Sequence, residues 1–484
     1  MTVPDPPSSG PAVDRDQGPD PRDPSWWSIA DLRDAYRRGA VSPVAVVEQA
    51  LARLEDLNPV LRFALGRREE AARREAVEAA QAFADGRARP LDGIPITVKD
   101  LSHVAGITTT FGCLVHDPAP RPTDSGAVRR LRTAGAIVIA KTNCSEYGQS
   151  ATTENRLGPP CRNPWDVTCT PGGSSGGAAV SVAAGIVPLA LGSDGGGSVR
   201  IPAAFTGTVG FKPTQERCLD EGGCPGFDGL ATVGPLTRTV GDARRAFRIL
   251  AGTAVEPFRL RERLRIGVVY EVDGHPISPV VRAELERVVG VLAGAGAELT
   301  SINLDVDGWQ EIFDVVVLKG ERRERTHLLA SQESLGETMR RVLGAAQHLE
   351  DTRVREVRAA WPEFRRRLND QLTGFHAIIT PAVATLPFAI GERPRVVDGR
   401  RVGHTWGAFS PAPLANVAAL PAIALPTGWA GHLPLAVQLV GAHGEDDRLL
   451  ALAEWVEDAV EHQRRIPPRP PAPVSATVDQ ERTT

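Results

Sequence analysis

The chain has 484 residues, of which 42% are hydrophobic and 24% are charged, and its formal net charge at pH 7 is -4. These values are typical of a soluble globular protein and exclude a chain made mostly of disordered or fibrous sequence. The slightly acidic balance indicates neither a nucleic-acid partner nor a membrane surface, so neither is expected.

Both ends of the chain differ in composition from the middle. Residues 1–25 are rich in Pro, Asp, Gly and Ser, and residues 465–484 include the run IPPRPPAPVSATVD. We predict a disordered tail at each end and one ordered domain over residues 26–464. The first residues contain no apolar signal segment, which predicts a cytoplasmic location.

The predicted elements alternate between helices and strands. Ser42 and Pro43 are suited to begin an amphipathic helix, because Ser caps helices and Pro favours their first position. A strand, a helix and a strand follow, and the same order returns later in the chain. These elements lie at 94–101, 124–136 and 136–143, and then at 265–271, about 279–293 and 297–304. The order predicts an α/β fold, with a largely parallel sheet at these strands.

Residues 320–367 are rich in Arg and Glu and have a helical pattern. Two interpretations are open: a solvated helical face, or a site that attracts acidic substrates. The surrounding aromatic residues are candidates either for pocket walls or for the core. They are Trp309, Phe313, Trp361, Phe375 and Trp406.

The cysteines and lysines of the chain indicate whether disulfides, a metal site or proton transfer by lysine are expected. The six cysteines show no CxxC motif and no zinc-ligand spacing, so we expect reduced thiols and no metal. Only four of the 55 basic residues are lysines: Lys99, Lys141, Lys212 and Lys319. A buried lysine can lose its proton and an arginine cannot, so each lysine is a candidate for proton transfer.

Two glycine-rich stretches, 170–185 and 192–204, lie close together in the sequence. A phosphate-binding P-loop is excluded because the chain contains no Gly-Lys dipeptide. The dinucleotide-binding pattern after a strand is also missing. Residues 172–176 satisfy GxSxG, but a turn-rich loop precedes them and no histidine lies in a persuasive motif. A Ser-His-Asp hydrolase is therefore disfavoured.

The remaining interpretation treats both stretches as one acyl-transfer site. The successive N–H groups of Gly195, Gly196 and Gly197 can form an oxyanion hole directly before Ser198, the candidate nucleophile. Without a histidine, the base must be a carboxylate or a neutral amine. Lys99 is a candidate for this base, and Ser174 could relay the proton between Ser198 and Lys99.

Four segments together resemble the amidase signature family: GIPITVKD, TPGGSSGGAA, GSDGGGSVRIPAAFTGTVGFKPT, and LPAIALPTG followed by PLAVQLVG. The similarity runs from about residue 28 to 460. It implies a single α/β domain in which a central mixed β-sheet is sandwiched between helices. It also implies a Ser–cisSer–Lys triad of Ser198, Ser174 and Lys99, in which a cis peptide bond precedes Ser174.

The resemblance assigns supporting roles as well. Ser175 would assist the proton relay, and Asp194 and Arg200 would brace the nucleophile loop. Gly195 stands where the family has Thr or Ile, which predicts a more flexible loop, and Cys169 stands where the family often has Arg. Lys141 and Lys212 match family positions without a role in the triad, so they are interpreted as structural.

The implied activity is hydrolysis of a carboxamide C–N bond in a small-molecule substrate through an acyl-enzyme, with no metal or organic cofactor. Two alternatives are open: a glutamine-dependent amidotransferase A-type subunit that works with a partner chain, and an inactive relative that serves as a binding module. The oligomeric state is open, with a homodimer as one option.

Overall fold

The computed structural model describes residues 20, 22–252 and 263–471, so most of both predicted tails lies outside the described residues. The helices within these ranges are α1 (Ile29–Arg37), α2 (Pro43–Leu61), α3 (Glu69–Ala84), α4 (Gly126–Thr133), α5 (Gly176–Ala183), α6 (Arg200–Thr206), α7 (Val240–Ala251), α8 (Pro279–Gly294), α9 (Trp309–Glu324), α10 (Glu337–Gln347), α11 (Asp351–Gln371), α12 (Leu414–Val417) and α13 (Asp446–Val460). Short 3-10 segments are found at Pro24–Trp26, Glu146–Gly148 and Thr326–Ser334.

The strands form one large mixed sheet and one small hairpin. They are β1 (Ala64–Arg67), β2 (Pro95–Lys99), β3 (Ile137–Thr142), β4 (Leu189–Asp194), β5 (Val209–Lys212), β6 (Thr232–Thr237), β7 (Arg265–Val268), β8 (Glu298–Ser301), β9 (Ala377–Pro381), β10 (Val396–Val397), β11 (Arg400–Arg401), β12 (Ala422–Ala430) and β13 (Leu433–Val440). The large sheet has 11 strands in the order β1-β3-β2-β4-β6-β5-β12-β13-β9-β7-β8, and β10 pairs with β11.

Strand direction changes across the sheet. The parallel pairing expected for both strand–helix–strand units is confirmed, since β2 runs parallel to β3 and β7 runs parallel to β8. The expectation of a largely parallel sheet is wrong in the middle, where β4, β6, β5, β12, β13 and β9 are antiparallel neighbours. β12 and β13 are joined by only two residues, and such a short connection requires antiparallel strands.

Helices cover both faces of the sheet, because side chains alternate between the faces of each strand. In β3, Val138 belongs to a hydrophobic cluster shared with α1, α4, α7, α8 and α13. Its neighbours Ile137 and Ile139 belong to a second cluster, shared with α2, α3, α5 and α6. A third cluster joins α9, α11 and α12. The predicted fold class, a central mixed sheet sandwiched between helices, is confirmed.

Local sequence explains where α2 begins. The Ser42 hydroxyl accepts a hydrogen bond from the Ala45 N–H at 3.1 Å, and Pro43 occupies the first turn. The predicted apolar stripe faces the second cluster, where Val47 and Leu51 are buried. Among the described residues, none of the helices has the length and apolar character needed to cross a bilayer.

The Arg- and Glu-rich region folds into the end of α9, α10 and α11. In α11, the buried side chains are Val357, Phe364 and Leu368, and most of its arginines are exposed. The solvated-face interpretation therefore describes α11. All six cysteines are free in the structure, and five of them are buried.

Candidate active site

The C-terminal ends of β2 and β4 lie side by side, because these strands are parallel neighbours. Thr97 shares a hydrogen bond of 2.8 Å with Ser181 of α5, so this face of β2 looks toward α5. Lys99 lies two residues further along and shares that face. In open α/β sheets, the carboxyl edge of the strands is the usual location of a ligand site.

Lys99 is buried, with 1% of its surface exposed. Its Nζ donates to Ser174 Oγ at 2.6 Å, to Ser193 Oγ at 3.0 Å and to the Ser193 carbonyl at 3.2 Å. Burial lowers the pKa of Lys99 from 10.5 to about 8, although the negative charge of Asp194 opposes the shift. A substantial fraction of the amine is therefore neutral in mildly alkaline solution, and a neutral amine can accept a proton from Ser174.

Ser174 lies in the loop that leads into α5. The peptide bond between Gly173 and Ser174 is cis, as the resemblance implied. Only glycine fits before this serine, because a Cβ on Gly173 would lie 2.6 Å from the backbone of Thr152. The Ser174 hydroxyl is thus held against Lys99 by a tightly packed backbone.

Ser175 connects the two glycine-rich loops. Its Oγ donates to the Ser193 carbonyl at 3.2 Å and accepts from the Ser193 N–H at 3.4 Å. Its own N–H donates to the Ser198 carbonyl at 3.2 Å. Ser175 therefore fixes the loop of Ser174 relative to the loop of Ser198.

Asp194 organises the loop before Ser198. Its carboxylate accepts hydrogen bonds from the N–H groups of Gly197 at 2.7 Å and Val199 at 3.2 Å, and from Arg200 Nε at 3.0 Å. Both Asp194 and Arg200 are fully buried. Burial alone would raise the pKa of Asp194, but the guanidinium of Arg200 holds it well below its usual range. The carboxylate therefore stays ionised and keeps all these donors.

Two residues that the sequence did not predict complete this network. Asn416 donates from Nδ2 to Asp194 Oδ1 at 2.9 Å and accepts from Arg200 Nη2 at 2.7 Å. Gln438 accepts from Arg200 Nη1. A single glutamine inside the apolar run PLAVQLVG is a signal of a buried polar partner, whereas Asn416 has no such signal. Ser193, which contacts Lys99, was also missed, although it adjoins the DGGGS motif.

The three glycines before Ser198 are in different environments. The Gly197 N–H is already donated to Asp194. The N–H groups of Gly195 and Gly196 donate to no acceptor within the described ranges. A Cβ on Gly195 would lie 2.8 Å from the ring of Phe227, and a Cβ on Gly196 would lie 2.9 Å from Phe313. A side chain at position 195 would therefore displace the ring of Phe227, an aspect that the prediction of a flexible loop missed.

Ser198 lies between two cavities. The first, here called the Ser174 cavity, has a volume of about 350 Å³, and Ser174, Ser193, Ser198 and Phe227 are among its lining residues. The second, here called the Trp406 cavity, has a volume of about 230 Å³ and is lined by Gly196, Ser198 and residues of α9 and α10. Of the five aromatic candidates, Phe313 and Trp406 line the second cavity.

The structure thus brings together Lys99, Ser174 and Ser175, and places Ser198 beside them. The hydroxyl of Ser198 makes no hydrogen bond with any described residue, so its link to Ser174 is not formed in this conformation. Catalytic hydrogen bonds commonly form only when substrate is bound.

The two lysines interpreted as structural lie outside this cluster. Lys141 forms an ion pair of 2.6 Å with Asp100, and Lys212 donates to the Pro213 carbonyl at 2.7 Å. Burial lowers the pKa of Lys212 to about 7, and the charge of Arg200 adds to this shift.

In the part of the chain that the structure describes, no group of three or more His, Cys, Asp or Glu residues is placed to hold a metal ion.

A large mixed sheet between helices, with a buried lysine and two serine loops at its edge, has the architecture of an amidase-type α/β enzyme. The Amidase family model matches residues 45–450, and the chain belongs to this family. It is therefore an amidase signature enzyme, a hydrolase that acts on amides.

Two curated relatives and one solved structure illustrate the similarity. The "Putative amidase AmiB2" of Mycobacterium tuberculosis is 33% identical over 476 residues, which cover 93% of this chain and 99% of that protein. The A-type subunit of the glutamyl-tRNA(Gln) amidotransferase of Thermus thermophilus is 32% identical over 474 residues, which cover 89% and 96%. A crystal structure of an amidase is 33% identical, with a TM-score of 0.84, and covers 89% of this chain and 99% of its own.

Proposed function

We propose that the protein hydrolyses the C–N bond of a small-molecule carboxamide through an acyl-enzyme on Ser198. The observation that carries this proposal is the 2.6 Å hydrogen bond between Lys99 Nζ and Ser174 Oγ, beside a cavity that Ser198 also lines. A buried amine with a lowered pKa, a bridging hydroxyl and an accessible second hydroxyl are the parts that nucleophilic catalysis requires.

Acylation begins when the Ser198 side chain turns toward Ser174. Neutral Lys99 takes the proton of Ser174, Ser174 takes the proton of Ser198, and Ser198 Oγ forms a bond to the carbonyl carbon. The carbonyl π electrons move to the oxygen, which accepts hydrogen bonds from the free N–H groups of Gly195 and Gly196. Losing one such donor typically costs about 2.7 to 4 kcal/mol of transition-state stabilisation.

The tetrahedral intermediate then collapses. The C–N bond breaks, and the proton held by Lys99 passes through Ser174 to the leaving nitrogen, so that a neutral amine or ammonia departs. In the second half of the cycle, water attacks the ester carbonyl carbon and gives its proton through Ser174 to Lys99. The C–O bond to Ser198 then breaks, Ser198 Oγ takes the proton back through Ser174, and the carboxylic acid leaves.

Gly197 has a different role in this mechanism from the other two glycines. Its N–H is bonded to Asp194, so it shapes the loop and does not serve as a free oxyanion donor in this conformation. Asp194 and Arg200 stabilise the loop before Ser198, and Asn416 connects both of them to a distant part of the chain.

An amidotransferase A-type subunit is the second candidate, and the similarity to the Thermus thermophilus protein favours it. Such a protein would copurify with a partner chain and hydrolyse glutamine efficiently only in that complex. Isolation of the tagged protein from its own cells, followed by glutaminase assays with and without copurified chains, separates the two candidates.

The continuous sheet among the described strands supports the proposal that residues 26–464 form one domain. A cytoplasmic location and a homodimer remain predictions.

The direct test of the proposed function is hydrolysis of a panel of simple amides and anilides by the purified protein. Activity should disappear in Ser198→Ala and fall about 100- to 10,000-fold in Lys99→Met. Ser301→Ala is the matched control, because Ser301 is exposed on β8, and it should retain full activity. Full activity of Ser198→Ala on every amide would refute the proposal.

A further inference from the structure

Two arginine side chains line the Trp406 cavity together with Ser198. Arg341 projects from α10 and is exposed, and Arg393 is half-buried in the loop before β10. Arg393 donates to Ser150 Oγ at 2.5 Å. Within the described ranges, neither guanidinium forms an ion pair with a carboxylate, which distinguishes both from most arginines of α9 and α11.

The net charge of the cavity lining is positive, because it contains two arginines and one aspartate. Asp314 is the acidic residue of the lining, and among the residues described it pairs with neither arginine. Burial lowers the pKa of Arg393, and the positive charges of Arg341 and Arg395 lower it further, while Glu154 opposes them. Arg393 is partly removed from water and pairs with no carboxylate of the described residues, so an anionic ligand would stabilise its charge.

Apolar side chains also line the cavity, among them Phe313, Val317, Val342 and Trp406. Phe313 and Trp406 pack edge to face at 4.9 Å between ring centroids, and both lie close to Gly196. Such walls suit a short chain of methylene groups. A ligand that fits the cavity therefore has a reacting carbonyl at one end, an apolar middle and an anionic group at the other end.

The position of Ser174 indicates which half of the substrate enters this cavity. The leaving nitrogen must receive its proton from Ser174, and Ser174 lines the other cavity. The leaving amine therefore belongs in the Ser174 cavity, which leaves the Trp406 cavity for the acyl part.

We propose that the enzyme prefers amides whose acyl group ends in a carboxylate, held by Arg341 and Arg393 at the far end of the Trp406 cavity. This inference rests on the proposed function and names its substrate class. The planar guanidinium offers paired donors that match the two oxygens of a carboxylate, and both arginines reach the cavity from different elements. The proposal also gives a role to Arg341 of α10, which lies in the Arg- and Glu-rich region but outside the solvated face of α11.

The test compares acyl 4-nitroanilides that share one leaving group. Each dicarboxylic acyl chain, from malonyl to adipyl, is matched with its neutral methyl ester and with an amine-terminated chain of similar length. For at least one chain length, kcat/KM of the carboxylate form should exceed that of its methyl ester by at least tenfold. This preference should fall at least fivefold in Arg393→Gln and in Arg341→Gln, mainly through KM, and less in Arg393→Lys, which keeps the charge.

Arg340→Gln is the matched control, because Arg340 is exposed on the same helix and does not line the cavity. It should retain the preference. Thermal unfolding midpoints of all variants show whether a loss of preference comes from misfolding, and Arg393→Lys provides a conservative substitution if the glutamine variant is unstable.

A binding measurement separates this inference from the proposed function. Titration calorimetry with the Ser198→Ala protein measures the Kd of each carboxylate anilide and its methyl ester without turnover. A tenfold lower Kd for the carboxylate than for its methyl ester, lost when Arg393→Gln is added, supports the inference. It does so even if the wild-type protein hydrolyses none of the anilides, because a lack of hydrolysis counts against the proposed function alone. Equal kcat/KM and equal Kd at every chain length would overturn the inference and leave the hydrolysis proposal intact. Preference for the amine-terminated chains, or a carboxylate preference unchanged in both arginine variants, would also overturn it.

Discussion

The rate at which Ser198 is acylated should depend on pH through Lys99. This lysine must be neutral to accept a proton, and burial lowers its pKa from 10.5 to about 8. The shift corresponds to a relative stabilisation of the neutral amine by about 3 kcal/mol. With a pKa of about 8, the neutral form makes up about a tenth of molecules at pH 7 and about nine tenths at pH 9, whereas an unshifted lysine would be almost fully charged at both. The acylation rate should therefore rise about tenfold between these pH values and then level off.

A fluorophosphonate probe measures this step without knowledge of the natural substrate. Its inactivation rate constant is recorded from pH 6.5 to pH 10 for the wild-type protein and for Lys99→Met. The variant should react about 100- to 10,000-fold more slowly and lose the pH dependence of the wild type. Lys319→Met is the matched control, because Lys319 lines neither cavity beside Ser198, and it should follow the wild-type curve. A flat wild-type profile, or the same midpoint in Lys99→Met, would refute the role of Lys99 as the base.

Three substitutions test the remaining contacts. Ser174→Ala removes the relay and should lower kcat by about 100- to 10,000-fold with little change in the unfolding midpoint; an unchanged kcat would exclude a relay through this hydroxyl. Asp194→Asn removes the charge that pairs with buried Arg200 and should lower the free energy of unfolding, measured in urea, by about 3 to 5 kcal/mol, whereas a loss below 1 kcal/mol would show that the pair is replaceable. Gly195→Ala should lower the free energy of unfolding by about 1 to 3 kcal/mol, because the new methyl group contacts the ring of Phe227. Adding Phe227→Ala should recover part of this loss. Simple additivity of these two substitutions would contradict the packing explanation.

Local sequence signals were sufficient for the outer parts of the fold. Ser42 and Pro43 predicted the beginning of α2, because a capping hydroxyl and a fixed φ angle act within one helical turn. Both strand–helix–strand units were also predicted, since a helix between two strands brings them together in parallel. The centre of the sheet was not predicted, because the antiparallel pairing of β5 with β12 depends on contacts between segments about 200 residues apart.

The site shows the same division between local and distant signals. Lys99 was found because lysine is rare in this chain, and Ser174 and Ser198 because glycine-rich loops surround them. Asn416 and Gln438 act on Asp194 and Arg200 from positions 222 and 238 residues away, so no spacing rule connects them. The contact between Phe227 and Gly195 likewise depends on a loop whose position only the folded chain defines.

The identity of the serine that a fluorophosphonate labels tests directly whether Ser198 is the nucleophile. Trypsin releases residues 163–200 as one peptide that contains both Ser174 and Ser198, so fragmentation mass spectrometry must locate the label within it. In the proposed mechanism Lys99 and Ser174 activate Ser198, so the label should lie on Ser198 and be absent from Ser198→Ala. A label on Ser174 in the wild-type protein, or undiminished labelling of Ser198→Ala, would contradict the assignment of Ser198 as the nucleophile.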